Sequence, residues 1–514
     1  MFSVSEAMLL PPLHELPGVA RVGQQEVLMR TEIRYDTADR ALQRYGAAVS
    51  RITDDAGTRW EATVPWEVPA FCTVAGPEGA DPGDPAGTAA TADPGNPAGT
   101  AAAAEPVAPE DRVPPELMEG LQAVLRGRNL EPVESATTRM LRYELLDSSG
   151  TAAARVTDET RQAGTQEAGR QGTGANGTGS GASSRSWAVA GAEGALLEQV
   201  VGMFRQAGGR PLPEEEEPAA EQEALDSRSP VGSLLQRYLR EQFAEVLRHE
   251  PRVRRGDADG VHKMRVATRR MRSALASYRT ALEAEPARLL RGELRWLAGM
   301  LGDARDAQVM RHRLKDLVAA EPEELVMGPV AARIDEELLD DYRKAYGRIR
   351  EALDSERYFS TLDGLETLIA VPAWTDAAQD PAGRASARMI RRDRKRLHRR
   401  VRQAQRLTGD EYAEAMHDAR KDAKRLRYAA EVWGAVQPAE AGIMVDAAER
   451  VQKILGEYQD SVVTREYLRR MGASASAAGE NGFTYGRLHA LEQASARTAQ
   501  ERFAAAWKDF PPAP

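Results

Sequence analysis

Two stretches of this chain repeat one another 155 residues apart, HKMRVATRRMRSALASY (His262–Tyr278) and HDARKDAKRLRYAAEVW (His417–Trp433). They share the form His-x-x-Arg-x-x-x-[Arg/Lys]-Arg-x-Arg. A second matched pair follows, LGDARDAQV (Leu301–Val309) and LGEYQDSVV (Leu455–Val463), at an offset of 154. Two matched elements at nearly one offset mark an internal duplication. The surrounding pattern is helical from Pro230 to about Phe503. Leu234, Leu235, Tyr238, Leu239, Phe243, Val246 and Leu247 recur at helical spacing. Prolines are rare there and are expected between helices (Pro251, Pro286, Pro322, Pro329, Pro372, Pro381, Pro438). The expectation is one all-α domain of eight to ten helices, about four in each repeat.

At about 100° per residue, His262, Arg265, Arg269 and Arg272 fall within about 80° of arc. Met264, Ala267, Met271, Ala274, Leu275 and Tyr278 fall opposite. In the second copy His417, Arg420, Lys424 and Arg427 share a stripe, while Leu426, Ala429, Ala430 and Trp433 face away. Each helix is therefore predicted to bury an apolar face and present a basic row about 15 Å long. A basic stripe is usually a solvated face. Here no acidic residue occurs between Val261 and Leu282, so the usual i,i+4 partners are missing. Arginine dominates lysine, and its planar fork of donors suits phosphate oxygens. His262 and His417 lack a Cys, Asp or Glu at i+3 or i+4, which makes them poor metal ligands. As imidazoles they can donate to phosphate. A third basic segment, Arg384–Arg406, holds eleven Arg and Lys residues against one acid, Asp393. Self-repulsion would destabilise that helix unless a polyanion or counterions neutralise it.

The N-terminal half differs. Order is expected at Val113–Leu130, where LMEGLQAVL (Leu117–Leu125) reads as a helix. Thr137–Asp147 and Thr151–Glu159 alternate around a Ser-Ser-Gly turn and predict a hairpin. Trp187–Gly208 reads as a strand and then a helix. Two compositionally biased inserts are expected at 74–112, where PGDPAGTAA recurs as PGNPAGTAA, and at 162–186. An acidic linker is expected at 213–228. The domain boundaries so read are 1–212 and 229–510, the latter split into repeats at about 229–380 and 381–510. Glu214–Glu217 of the linker could occupy a basic channel weakly, although a solvated tether is the simpler reading.

Composition narrows the function. With 514 residues, two or three domains are expected. The net charge of −9 argues against uniform coating of DNA or membrane, yet leaves room for a local basic surface. One cysteine, Cys72, excludes an intrachain disulfide and suits a reducing compartment. No run approaches the 18 or so apolar residues of a membrane span. The N-terminus has no basic leader, so a cytoplasmic address is expected.

VHKMRVATRRMRSAL with LGDARDAQV, and MHDARKDAKRLRYAAE with LGEYQDSVV, resemble the CHAD family of histidine-bearing helical domains. The resemblance covers about Ser229–Phe503. It implies two four-helix bundles related by pseudo-twofold symmetry, a basic channel that binds inorganic polyphosphate, and targeting to polyphosphate granules. His262, Arg265, Arg269, Arg272, His417, Arg420, Lys424 and Arg427 would line that channel. Arg305 takes the basic position of the second element, where the other copy has Gln459. Arg270, Arg425, Arg391 and Lys395 complete the candidate set.

The N-terminal half resembles a CYTH (triphosphate tunnel) domain through RYDTADRALQRYGAAVSRI (Arg34–Ile52), WEATVP (Trp60–Pro65) and Leu130–Glu159. An active tunnel opens on a Glu-x-Glu-x-Lys strand, whereas this chain begins MFSVSEAMLL. Its lysine after the tryptophan is Thr63, and its late glutamate strand appears as WAVAGAEG with Glu193 alone. Without converging carboxylates a divalent metal has no site, and triphosphate hydrolysis loses its Lewis acid. The fold expected is α+β multidomain, with a degenerate antiparallel tunnel or barrel-like domain before the duplicated helical domain. No catalytic residue, metal or cofactor is expected. The expected partner is inorganic polyphosphate, not membrane or nucleic acid, and oligomeric state is left open. The alternatives are a metal-dependent triphosphatase or nucleotidyl cyclase of the tunnel type, and a nucleic-acid binder.

Overall fold

The computed structural model describes residues 1–65, 70–73, 112–164, 182–212 and 224–513. It divides into two compact units, Met1–Glu221 and Gln222–Pro514. Most of the two expected inserts, and the acidic run Glu214–Glu217, lie outside the described residues.

The N-terminal unit contains β1 (Phe2–Val4), β2 (Arg21–Val22), β3 (Glu26–Asp36), α1 (Ala41–Arg44), β4 (Ala48–Asp54), β5 (Gly57–Thr63), β6 (Ala70–Thr73), α2 (Pro115–Leu125), β7 (Glu131–Leu146), β8 (Ala152–Gly164), β9 (Ser183–Ala190), α3 (Gly194–Gln206) and β10 (Arg210–Pro211). They form one antiparallel sheet in the order β10-β1-β9-β8-β7-β3-β4-β5-β6, with β2 added beside β7. Among the described residues no pairing of β6 with β10 closes it into a barrel.

The expected hairpin is β7–β8. Asp147 Oδ1 accepts from the backbone of Ser149 and Thr151, and Gly150 takes the left-handed φ of 83° that the turn requires. β8 and β9 run into the span expected as the second insert, because their ladder pairs as far as Gln162 and Ser183. The Tyr-Asp-Thr segment is a capping device. Buried Asp36 accepts from the N–H groups of Thr37, Leu42 and Gln43 at 2.7, 2.8 and 3.1 Å, ordering the turn into α1.

Strand alternation puts Trp60 and Trp187 on the same face. Around Trp60, Leu42, Val49, Leu121 and Leu125 form one apolar cluster. Around Trp187, Phe2, Leu145, Val156 and Phe204 form another.

The C-terminal unit contains α4 (Val231–Arg254), α5 (Ala258–Ser277), α6 (Ala284–Ala319), α7 (Val330–Leu353), α8 (Glu356–Ala370), α9 (Ala382–Ala404), α10 (Gly409–Gly434), α11 (Pro438–Ala477) and α12 (Phe483–Lys508). The chain is therefore α+β, with an antiparallel sheet in one unit and helices in the other. Pro251, expected between helices, lies inside the last turn of α4, where its missing N–H costs one ladder bond. Pro286 lies in the first turn of α6, and Pro438 opens α11.

Helices of the two repeats interleave. The starts of α4 and α9 pair across a local two-fold, with Val231 N–H donating to Asp380 O at 2.9 Å and Ala382 N–H to Ser229 O at 2.8 Å. Tyr278, at the end of α5, is fully buried, and its hydroxyl hydrogen-bonds with Ser386 of α9 and with the Ala429 carbonyl of α10. Buried Asp393 of α9 accepts from Ser277 Oγ at 2.6 Å and from Arg425 Nε of α10 at 3.2 Å. Thus α4, α5, α9 and α10 make one packed group. The distal parts of α6 and α11 join α7 and α12 in another, cored by Leu314, Ile334, Leu338, Leu468, Met471 and Leu488. With 36 and 40 residues, α6 and α11 are about 54 and 60 Å long and run through both groups.

Asp393→Ala would leave the inward-held Arg425 without its carboxylate. It should destabilise the C-terminal unit by about 3–5 kcal/mol in urea unfolding. Asp393→Ala/Arg425→Met should recover part of that loss. A single variant as stable as the parent would show that the clasp contributes nothing.

Candidate functional site

The apolar faces assigned from sequence are buried: Met264, Met271, Ala274 and Leu275 on α5, and Leu426, Ala429, Ala430 and Trp433 on α10. Burying them fixes the rotation of both helices, so the two cation rows turn toward a common space. That space is a cavity of about 870 Å³ lined by α5, α6, α10 and α11. His262, Arg265, Arg269, Arg270, Arg272 and Arg305 line it from the first repeat, and His417, Arg420, Lys424 and Arg427 from the second.

Three expected residues stand elsewhere. Arg425 turns away to Asp393, Ser277 and the Ala276 carbonyl. It occupies the buried interface between α5, α9 and α10 because it follows the row by one residue. Arg391 and Lys395 are exposed on α9 and do not line the cavity. Conversely, Arg295, Arg313 and Lys421 line it although sequence reasoning passed over them. Arg295 and Arg313 belong to α6, on either side of the Leu-Gly-Asp element. The first repeat has Val266 where the second has Lys421, so the duplication gave no signal there.

The glycine of the second matched element has a steric role. A Cβ on Gly302 would stand 3.5 Å from Arg265 Nη2, and one on Gly456 3.2 Å from Arg420 Nη2. Each guanidinium thus lies against the bare backbone of the neighbouring long helix. The following Asp306 pairs with Arg265 at 3.2 Å, and Asp460 attracts Arg420.

Eleven Arg and Lys side chains line the cavity against two carboxylates, Asp306 and Asp460, so it is strongly cationic. Some cations are held by acids outside the lining. Arg270 and Arg427 share Glu431 at 3.0 and 3.1 Å, Arg427 also meets Glu449, and Arg313 pairs with buried Glu492 at 2.7 Å. Arg269, Arg272, Arg295, Arg420 and Lys424 make no ion pair within 4 Å among the described residues. Two unit charges 4 Å apart interact by about 4 kcal/mol at an effective dielectric of about 20, so such crowding is costly.

Protonation equilibria register it. Burial, then Arg269, Arg420 and Arg265, pushes the Lys424 amine down to about 6, with Asp460 of α11 opposing. Burial, then Arg305 and Arg265, lowers His262; burial, then Lys421 and Arg420, lowers His417. Both imidazoles are neutral donors near pH 7. Arg265 Nε, Arg420 Nε, His417 Nδ1, Gln452 Oε1 and Gln459 Oε1 are buried without a hydrogen-bond partner among the described residues. Buried polar atoms are ordinarily satisfied, which suits a site that receives a polar ligand.

The N-terminal sheet offers a contrasting surface. On the face opposite Trp60, Arg30 meets Glu32, Arg34 and Arg161 meet Glu134, Arg142 meets Glu26, and Arg155 meets Glu144, at 3.3 to 3.9 Å. These charges neutralise one another. Asp158 projects from the other face into a buried pair with Arg185, away from Glu159. Among the described residues no three His, Cys, Asp or Glu side chains are grouped to hold a metal. No helix among them is long and apolar enough to cross a membrane.

Residues 237–469 match the CHAD domain family, a span that includes both cation rows and both glycine elements. Over 518 aligned positions the chain is 29% identical to the uncharacterized proteins MT2285 and Rv2226 of Mycobacterium tuberculosis, strains CDC 1551 / Oshkosh and ATCC 25618 / H37Rv. Each alignment covers 98% of this chain and 94% of the relative. Among solved structures, PptA from Streptomyces chartreusis is similar at 23% identity and a TM-score of 0.46, covering 55% of this chain and 100% of that one. The CHAD domain from the plant Ricinus communis is similar at 26% identity and a TM-score of 0.45, covering 57% and 96%.

An anion seated among Arg265, Arg269, Arg420 and Lys424 would raise the Lys424 amine again. Binding should then take up about one proton above pH 6, and affinity should fall as pH rises from there. Calorimetry in buffers of different ionisation enthalpy reads the uptake. A Lys424 ¹³Cε resonance that titrates near the ordinary lysine value in the empty protein would contradict the premise.

Proposed function

We propose that this chain, which carries a CHAD domain at residues 237–469, binds inorganic polyphosphate in the cavity of its C-terminal unit. One observation carries the reading: two matched cation rows face one space that holds far more Arg and Lys than carboxylates. A linear polyphosphate supplies what that space lacks, a series of anionic oxygens able to accept from several guanidinium groups at once. It brings no base or sugar that would need its own recognition. Tyr428 is the one Phe, Tyr or Trp among the lining residues, and Arg270 and Arg427 approach its ring at 5.8 and 5.9 Å. A nucleic acid would therefore find phosphate contacts but little platform for stacked bases. Long polyphosphate chains would also draw the protein to polyphosphate granules.

We assign no catalysis to the N-terminal sheet, where the described residues group no three carboxylates and the arginines of the face opposite Trp60 are paired. Orthophosphate release from tripolyphosphate by the pure protein with magnesium or manganese would overturn that assignment.

Replacing Arg265, Arg269, Arg420 and Lys424 together by Ala should weaken polyphosphate binding by at least about 100-fold, as expected for losing several charge-assisted contacts. The dependence of log affinity on log salt should flatten by about 3. Because the substitutions remove mutual repulsion, the variant should keep its helical circular dichroism. Affinity surviving at matched salt in the folded variant, or single-stranded RNA displacing polyphosphate at equal phosphate concentration, would sink the proposal.

A further inference from the structure

The third basic segment is left unexplained by the cavity, since Arg391 and Lys395 of α9 stand outside it. Another face of the same helix is organised. Arg396, Arg399, Arg400 and Gln403 line a second hollow of about 310 Å³. Their spacing puts them on successive turns of one helical face about 10 Å long.

A line of cations connects this hollow to the main cavity. Arg272 and Arg295 line the cavity. Arg291 lies one turn before Arg295 on α6. Arg279 follows the end of α5, and burial, then the charges of Arg295, Arg279 and Arg396, lowers the Arg291 guanidinium. Arg272 is lowered by burial, then by Arg295 and Arg291. Arg392 donates to the Ser277 carbonyl, fixing α9 beside the end of α5 and hence beside Arg279. The sequence of neighbours is therefore Arg272, Arg295, Arg291, then Arg279 and Arg396.

Only the far end of this line is balanced by acid. Arg396 lies 3.9 Å from Asp422, and Arg400 lies 3.5 Å from Asp418 and 3.9 Å from Asp422. Arg279, Arg291, Arg295 and Arg399 make no ion pair within 4 Å among the described residues. Arg291 Nε is buried without a hydrogen-bond partner among the described residues. A buried N–H without a partner is costly, and an anion oxygen at this point would satisfy it.

We propose that Arg291, Arg279, Arg396 and Arg399 form a second arm of the anion path, along which a polyphosphate chain too long for the cavity leaves past Arg272 and Arg295 and lies against α9. The inference rests on the polyphosphate reading above and adds a chain-length preference to it. Short chains occupy the cavity alone, and long chains occupy the cavity and the arm.

The test uses the full chain and the variant Arg291→Gln/Arg399→Gln, which breaks no ion pair described here. Both are titrated with tripolyphosphate and with long-chain polyphosphate at two salt concentrations. Tripolyphosphate affinity should agree between the proteins to within about twofold, while long-chain affinity should fall by about tenfold and its salt slope flatten by about 1 to 2. Long-chain affinity unchanged in the variant overturns the arm and leaves the cavity standing. Equal losses for both ligands also overturn it, since the arm would then be part of the cavity. A parent protein that binds neither ligand removes the polyphosphate reading itself. Arg396→Gln/Arg400→Gln gives an independent check of the α9 end, and a thermal melt confirms that each variant is folded.

Discussion

Positive charges held close together without matching carboxylates are the constraint around which the C-terminal unit is built. Left to itself, such an arrangement drives its helices apart. The opposing force lies on the other side of the same helices, where Met264, Met271, Leu275, Leu426 and Trp433 are buried. Buried side chains of that size each contribute about 1.5–3 kcal/mol. The Tyr278 and Asp393 hydrogen bonds then tie α5, α9 and α10 together behind the rows. A surface helix could spread such charge into water; these helices cannot rotate without exposing their apolar faces.

Duplication explains how two rows come to face one space. Because α6 and α11 run through both helix groups, neither repeat closes its core alone. The paired starts of α4 and α9 and the shared core of α6, α7, α11 and α12 join the copies at both ends. The equivalence is closest where geometry is tightest, with Arg265 over Gly302 and Arg420 over Gly456. It relaxes where the second copy has Gln459 opposite Arg305 and Lys421 opposite Val266. Steric fit thus binds the duplicated sequence more strictly than charge does.

Much of this was legible in the residues because helical periodicity states which face is buried, and the burial fixes where the opposite face points. The rows His262–Arg272 and His417–Arg427, the β7–β8 hairpin and the helices α2 and α3 follow from such local rules. What escaped depended on neighbours distant in sequence. Arg270 and Arg425 hold matching positions in the repeat, yet one meets Glu431 at the cavity wall and the other is drawn inward by Asp393. The 155-residue period does not announce that difference, because it relates α5 to α10, whereas the paired starts of α4 and α9, Pro230 and Pro381, are 151 residues apart and set Gln242 of the first copy against Asp393 of the second. Arg295 and Arg313 were missed for a related reason. They lie on a long helix whose overall pattern gives no single polar face, since it packs on different partners along its length.

The contrast between the two units shows why counting basic residues says little about a site. Arg30, Arg34, Arg142, Arg155 and Arg161 of the sheet are nearly as numerous as the unpaired cations of the cavity, but each has a carboxylate near it. An anion approaching the sheet must displace an existing partner, so its gain is the difference between two similar interactions. An anion seated on the unpaired cations Arg269, Arg420 and Lys424 displaces no carboxylate from them and relieves repulsion already present, so its gain is the sum of attraction and relief. At the most crowded point of the cavity the repeat places Arg269 in one copy and Lys424 in the other. An arginine there stays charged. The lysine can shed its proton while the site is empty and regain it when an anion arrives. That asymmetry lets the fold hold its cations at closer quarters than permanent charges alone would permit.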